Sequence, residues 1–213
     1  MATAFGTISL FSIMLDTTSY RTQERTAKLE AALAKRQPSL AVVLENVHDP
    51  HNIGAILRSC DAVGVMKVCM VYTIEEPPKL ANTPAASGVI KWLELERYTS
   101  VKACFDKLRD EGFQILATKV DPAAKELYDY DLSIPTALVL GNEHRGISDD
   151  AAKQSDGLLY IPMMGMVESV NVSVATAVCL FEAMRQRMAK GLYHAPQLPQ
   201  EAMRSTLAEW LQK

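Results

Sequence analysis

Tyr160 to Met184, YIPMMGMVESVNVSVATAVCLFEAM, is the stretch on which the reading of this chain turns. Leu158 to Ile161 is a short apolar run of buried-strand type, and Pro162 then removes a backbone donor and stops sheet pairing. From Val170 the apolar residues Val170, Val174, Ala177, Val178, Phe181 and Met184 recur at helical spacing. Ser169, Asn171 and Ser173 are residue types that start helices, so a helix is expected from near Ser169. Between strand and helix, Met163 to Glu168 forms an apolar loop with Gly165 and three methionines. Methionine fills irregular cavities, and a loop this apolar is expected to line something rather than stand bare in water. The plain reading is packing or a subunit contact. The sharper one is a pocket that holds a flat apolar ligand on the loop's N–H and C=O groups, beside a polar helix start.

The chain before this stretch alternates strands with helices. Thr22 to Arg36 has a strongly helical composition that Pro38 is expected to close, and LAVVL (Leu40 to Leu44) is a buried-type strand. The polar loop ENVHDPHN (Glu45 to Asn52) follows, then a helix over Ile53 to Val63 ended by Gly64. Further strands are expected at Lys67 to Tyr72, Ile90 to Leu95 (weaker), Phe113 to Thr118 and Thr136 to Leu140, with helices over Ser100 to Glu111, from Asp149, and from about Gln200 to Gln212. This alternation predicts an α/β fold, a mainly parallel sheet flanked by helices, with ligands at the carboxyl ends of the strands. Asn52, Arg58, Thr118, Glu143 and Asn171 fall at or just after such ends.

A chain of 213 residues suits one domain with short extensions. Residues 1–20 read as a disordered or non-native extension, 21–38 as a basic N-terminal helix, 39–190 as the main domain and 191–213 as a tail and helix. The apolar segment Phe5 to Leu15 has no basic residue before it and no evident small-residue cleavage site, so export is not expected, and no stretch is long enough to span a membrane. Cys60, Cys69, Cys104 and Cys179 are widely spaced, which speaks against a zinc ribbon or disulfide scaffold and suits the cytoplasm. His48 and His51 lack further ligands, so no metal is expected. No GxGxxG follows the first strand, Gly141 to Gly146 lacks the Lys-Ser/Thr pair of a phosphate loop, and there is no GxSxG elbow. The formal charge of −3 argues mildly against nucleic acid, yet basic residues gather at Arg21, Arg25, Lys28, Lys35 and Arg36 and again at Arg185, Arg187 and Lys190. Arg58, between Leu57 and Ser59 of an apolar helix, is unusual there; its plain reading is an exposed arginine paired with Asp61.

Three stretches together resemble the SpoU/TrmH group of the SPOUT methyltransferase superfamily. They are ENVHDPHNIGAILRSCDAVGV (Glu45 to Val65), LVLGNEHRGIS (Leu138 to Ser148) and IPMMGMVESVNVSVA (Ile161 to Ala175), in the group's order and spacing over roughly residues 22–213. The resemblance implies a SPOUT-type fold with a C-terminal deep trefoil knot over about residues 136–184, a homodimer, and S-adenosylmethionine as methyl donor to ribose 2′-oxygens of RNA. By match to the motifs, Thr118, Gly141, Ile161, Met163 and Val170 would contact the cofactor, largely through backbone. Arg58, Asn52, Glu143, Ser169 and Asn171 would form the catalytic neighbourhood, with Arg58 fixing the hydroxyl and a phosphate, Asn52, Glu143 and Asn171 holding that arginine and the loops, and Ser169 capping the knot helix.

Within the group, the AVGV ending of the first motif, the MxGMVxSxNVSVA run and the short helical tail look most like members that methylate a D-loop guanosine of tRNA. Both basic clusters would then grip tRNA through its phosphates. Ribosomal RNA or another tRNA position is the neighbouring alternative, and an RNA-binding protein without catalysis a more distant one. Three departures stand out: the first twenty residues have no counterpart, Glu168 stands where glutamine is frequent, and Val170 where leucine is common.

Overall fold

A computed structural model describes residues 10–74, 76–80, 86 and 88–213, with side chains from residue 22 onward. Its strands are β1 (Gln37–Glu45), β2 (Val65–Val71), β3 (Glu94–Tyr98), β4 (Gln114–Thr118), β5 (Lys125–Glu126), β6 (Thr136–Leu140) and β7 (Gly157–Tyr160). Its α-helices are α1 (Leu10–Leu33), α2 (Pro50–Val63), α3 (Val101–Asp110), α4 (Asp149–Gln154), α5 (Val172–Ala189) and α6 (Gln200–Leu211). Among the described residues the strands form one sheet in the order β3-β2-β1-β6-β4-β7-β5, with every pair parallel.

The sheet is covered on both faces, which explains the unbroken apolar run of β1. Leu40, Val42 and Leu44 point to one layer with Ile53, Ile56 and Leu57 of α2 and Leu180 of α5, while Ala41 and Val43 point to the other with Cys104, Phe105 and Leu108 of α3. All five strand residues are fully buried, and at about 1.5–3 kcal/mol for each large apolar side chain they make β1 the centre of the fold. Local signals set the helix ends. The Asp49 side chain accepts the His51 amide and Pro50 opens α2, while Gly64, at φ 86°, closes it. A Cβ on Gly64 would stand 2.5 Å from the Lys35 carbonyl, so only glycine fits. Ser100, expected as the first residue of α3, instead caps it by accepting the Ala103 amide.

Several boundaries differ from expectation. The first helix starts at Leu10 and ends at Leu33 rather than at Arg36, and residues 1–9 of the expected extension lie outside the described residues. Pro38 lies inside β1, where the register with β2 breaks between Gln37 and Ala41 and no amide is required of it. The strand expected at Ile90 to Leu95 is a 3-10 turn over Ile90–Trp92 followed by β3, whose half-exposed edge carries ELERY. The helix expected from Ser169 starts at Val172.

The chain leaving β4 passes beyond the place of β7, makes β5, and returns to β6 on the other side of β4; β7 then fills the gap between β4 and β5. Residues 119–135 therefore arch around β7. Arg187 of α5, wholly buried, pins the returning limb: its guanidinium donates to Leu132 O (3.0 Å), Ile134 O (2.8 Å), Ser39 O (2.8 Å), Ser39 Oγ (2.9 Å) and Gln37 Oε1 (3.3 Å). Burial lowers its pKa to about 10. At the opposite margin α1 and α6 pack through Leu29, Leu33 and Trp210 in a cluster of their own. Trp92 meets Trp210 edge-on at 5.2 Å, and the Arg36 guanidinium lies 5.1 Å from the Trp210 ring. No helix among the described residues is long and apolar enough to cross a membrane.

Candidate active site

A cavity of about 510 Å³ opens at the carboxyl ends of β4, β6 and β7, where a parallel sheet receives ligands. Its wall includes Thr118, Gly141, Ile161, Met163 and Val170, so the fold brings the five expected cofactor contacts to one place, with Glu143, Ser169 and Asn171 beside them. Thr118 ends β4 with its hydroxyl donated to Val139 O at 3.1 Å. Gly141 follows β6, and the chain then folds back on itself through Asn142 N to Gly146 O (3.0 Å) and Gly146 N to Asn142 O (2.8 Å). A Cβ on Gly141 would lie 2.1 Å from Gly146 C and 2.2 Å from Ile147 N, so the turn closes only around glycine.

A polar chain crosses three segments far apart in sequence. Asn171 caps α5 by accepting the Ser173 amide (2.8 Å) and hydroxyl (2.6 Å) on Oδ1, which leaves its Nδ2 to donate to Asn52 Oδ1 at 3.1 Å. Asn52 in turn donates to Glu143 Oε1 at 3.0 Å, and the Asp49 amide donates to the same oxygen at 3.4 Å. Three side chains expected at the catalytic neighbourhood are thus joined in one line.

Arg58 and Ser169 stand apart from that line. Ser169 is exposed and does not cap the helix; Asn171 does. Asn52, Glu143 and Asn171 bond to one another rather than to Arg58, which is exposed and has no hydrogen-bond or ion-pair partner among the described residues. The plain reading of Arg58 also lapses, because Asp61 is taken by Arg36 at 2.6 Å. Arg58 lies six residues beyond Asn52, about 9 Å further along the helix axis at 1.5 Å per residue.

The apolar loop lines the cavity through Met163 and Glu168; Met164 (92% exposed), Met166 (100%) and Val167 (60%) face outward. The basic clusters also divide. Arg25, Lys28, Lys35, Arg185 and Lys190 are exposed, Lys35 donating to Tyr193 O (2.7 Å) and Arg185 gripping Glu182 with two 2.8 Å bonds. Arg36 and Arg187 are buried, Arg36 against Asp61 and the Val65 carbonyl and Arg187 among carbonyls, so neither reaches an RNA phosphate. The side chain of Arg21 lies outside the described residues. Two residues missed in the sequence, Asn46 and Asn142, hold the loop that carries Glu143. Asn46, a non-glycine residue at φ 53°, was detectable as an asparagine directly after a strand end.

No group of three metal-ligating side chains occurs among the described residues. The cysteines are buried and free. Burial pushes the Cys60 thiol up and that of Cys179 up to about 12, and a hydrogen bond with Cys69 followed by burial raises Cys104, so these three stay protonated and unreactive.

Residues 39–181 match the SpoU rRNA Methylase family. Over 193 residues the chain is 44% identical to the tRNA (guanosine(18)-2'-O)-methyltransferase of Thermus thermophilus, covering 91% of this chain and 98% of that enzyme. The crystal structure of the Aquifex aeolicus TrmH/SpoU tRNA modifying enzyme superposes with a TM-score of 0.83 at 37% identity, over 90% of this chain and 96% of that one. An AdoMet-bound rRNA methyltransferase from Sinorhizobium meliloti is more distant, with a TM-score of 0.63 at 29% identity over 73% of this chain and 59% of that one.

Proposed function

Because the chain belongs to the SpoU rRNA methylase family, we propose that it transfers methyl from S-adenosylmethionine to the ribose 2′-hydroxyl of guanosine 18 in the D-loop of tRNA. The observation that carries the substrate is the match to the Thermus enzyme along 98% of its length, against 59% for the Sinorhizobium rRNA enzyme.

The cavity suits the cofactor. Its volume of about 510 Å³ falls within the roughly 300–1,000 Å³ of small-molecule sites, and bare backbone at Gly141 with apolar walls at Ile161 and Met163 fits a flat adenine edge. Thr118, Gly141, Ile161, Met163 and Val170 would hold it. When bound, S-adenosylmethionine supplies an electrophilic methyl group on a sulfonium. The residues of the chain align the ribose with it. Arg58, permanently charged and free of protein partners among the described residues, orients the hydroxyl and an adjacent phosphate. Asn52, Glu143 and Asn171 fix α2, the loop after β6 and the start of α5 against each other, and orientation of this kind supplies much of the rate.

Arg25, Lys28, Lys35, Arg185 and Lys190, with Arg21, would meet tRNA phosphates. A homodimer would cover Val174, Phe181 and Met188, exposed apolar residues spaced by sevens along α5. The arch of residues 119–135 around β7 supports a knotted C-terminal region, and four free buried thiols support a cytoplasmic setting.

The test is transfer of labelled methyl from S-adenosylmethionine to unmodified tRNA, with the modified nucleotide mapped. Label on the ribose of the D-loop guanosine is expected. Label on ribosomal RNA alone would retain the chemistry and change the substrate, and tight cofactor binding with no transfer to any RNA would leave a non-catalytic RNA-binding protein.

A further inference from the structure

Glu143, the junction of the polar line, sits in a loop that has little packing of its own. What fixes that loop is the carboxyl end of β1, where Glu45 is 1% exposed and Asn46 4%. Asn142 Nδ2 donates to Asn46 O at 2.9 Å, and Asn142 Oδ1 accepts the amides of His144 (2.9 Å) and Arg145 (3.2 Å). One amide side chain therefore fastens the loop to β1 and folds it into a turn at the same time. The other end of the loop is held by Glu45 Oε2, which accepts the Ser148 amide at 2.8 Å. Asn46 is itself clamped: its Oδ1 accepts the Thr73 (2.9 Å) and Ile74 (3.1 Å) amides and its Nδ2 donates to Thr73 Oγ1 (3.0 Å), at a φ of 53°. Glycine would take that backbone conformation more easily, so the side chain is what the position uses.

We propose that Asn142, anchored by Asn46, is a positioning residue that sets the place of Glu143 and through it Asn52 and Asn171. The proposal rests on the methyl-transfer reading above and assigns the asparagine pair no contact with RNA. Asn142 also borders the cavity, so its effect on cofactor affinity is part of the test.

The variant is Asn142→Asp in the full chain, which keeps the acceptor for the His144 and Arg145 amides and replaces the donor to Asn46 O. Measured on unmodified tRNA, kcat is expected to fall about 10- to 100-fold, the scale of a misplaced reacting group. The S-adenosylmethionine Kd, by calorimetry, should stay within about threefold, because the walls made by Thr118, Ile161 and Met163 are untouched. In a Glu143→Ala background the same substitution should change kcat less than about twofold, since a residue acting through Glu143 has nothing left to position. Additive losses in that cycle, or a loss of cofactor affinity that parallels the loss of kcat, would overturn the proposal.

A readout independent of turnover is amide hydrogen exchange. Asn142→Asp should speed exchange at Asp49, whose amide bonds to Glu143, while α3 is unaffected; unchanged Asp49 protection counts against the proposal even if the wild type proves inactive. An inactive wild type would instead count against the methyl-transfer reading. Should Asn142→Asp not fold, Asn46→Gly retains the left-handed backbone and withdraws the three side-chain clamps, with the same expected pattern.

Discussion

Replacing Gly141 by alanine tests whether the cavity depends on one close backbone approach. The new Cβ would stand 2.1 Å from Gly146 C and 2.3 Å from Gly146 O, whereas carbon contacts need about 3.5 Å, so the turn must move by more than about 1 Å. Two backbone hydrogen bonds of the Asn142–Gly146 bridge and the two amide bonds to Asn142 Oδ1 then stretch or break. At about 1 kcal/mol each, with part recovered by solvent, the loss is about 2–4 kcal/mol. For a chain of this size that lowers the melting temperature by roughly 4–16 °C. The cavity wall moves with the turn, and S-adenosylmethionine affinity should fall at least about tenfold. Gly165→Ala is the control, because a Cβ there meets nothing within 4 Å; it should shift stability by less than about 0.5 kcal/mol. Thermal unfolding and calorimetric titration read both quantities. A Gly141→Ala protein with wild-type melting and wild-type affinity would refute the argument that this turn closes only around glycine.

Arg58→Ala should abolish methyl transfer while leaving cofactor Kd near the wild-type value, and retained turnover would remove Arg58 from the mechanism. Arg187→Met strands the carbonyls of Ser39, Leu132 and Ile134, offset by release of a buried charge; urea unfolding should show a loss of about 2–4 kcal/mol, and a neutral result would show that the arch is held otherwise. Arg25→Ala with Lys28→Ala should weaken tRNA binding and reduce the salt slope by about 2, with Arg36→Ala acting through stability instead; an unchanged slope would place the RNA elsewhere. Burial pushes the Glu96 carboxyl up, but hydrogen bonds from Tyr98 and Lys107 and the charges of Lys67 and Lys107 outweigh it and hold its pKa below the ordinary value. A depressed carboxylate stabilises above its unfolded pKa and loses that contribution as pH falls through its folded one. Glu96→Gln should therefore be less stable than wild type at neutral pH and converge on it in acid; a constant gap across pH would contradict the assignment.

The parts of the fold that could be read from sequence were those fixed by local chemistry. LAVVL and TALVL declare buried parallel strands because both faces are apolar, and Gly64 marks the end of α2 through a group adjacent in the chain, whereas Asp49-Pro50 starts that helix three residues before the expected Ile53. β5 was not legible, since Lys125–Glu126 is two charged residues whose pairing depends on a strand that comes later. β3 was misplaced because ELERY is an edge strand with a half-exposed polar pattern. Ser169 and Asn171 are equally good caps by composition; a partner on α2, Asn52, goes with the choice of Asn171. Arg36 and Arg187 look like any surface cation until distant segments supply their carbonyls and carboxylate. The residues of the cavity were named from motif match, but that Asn52, Glu143 and Asn171 bond in line while Arg58 stands free is a property of geometry alone.

The aromatic contact between Trp92 and Trp210 has an optical consequence. These are the two tryptophans of the whole chain, and both sit in the cluster that seats α6 against α1, away from the cavity wall. Intrinsic emission excited at the indole band is therefore a reporter of C-terminal helix docking, quenched or shifted when Trp210 leaves Arg36 and meets water. It is silent on the ligand pocket itself, so any change in emission on adding cofactor measures communication between the pocket and the terminal helices.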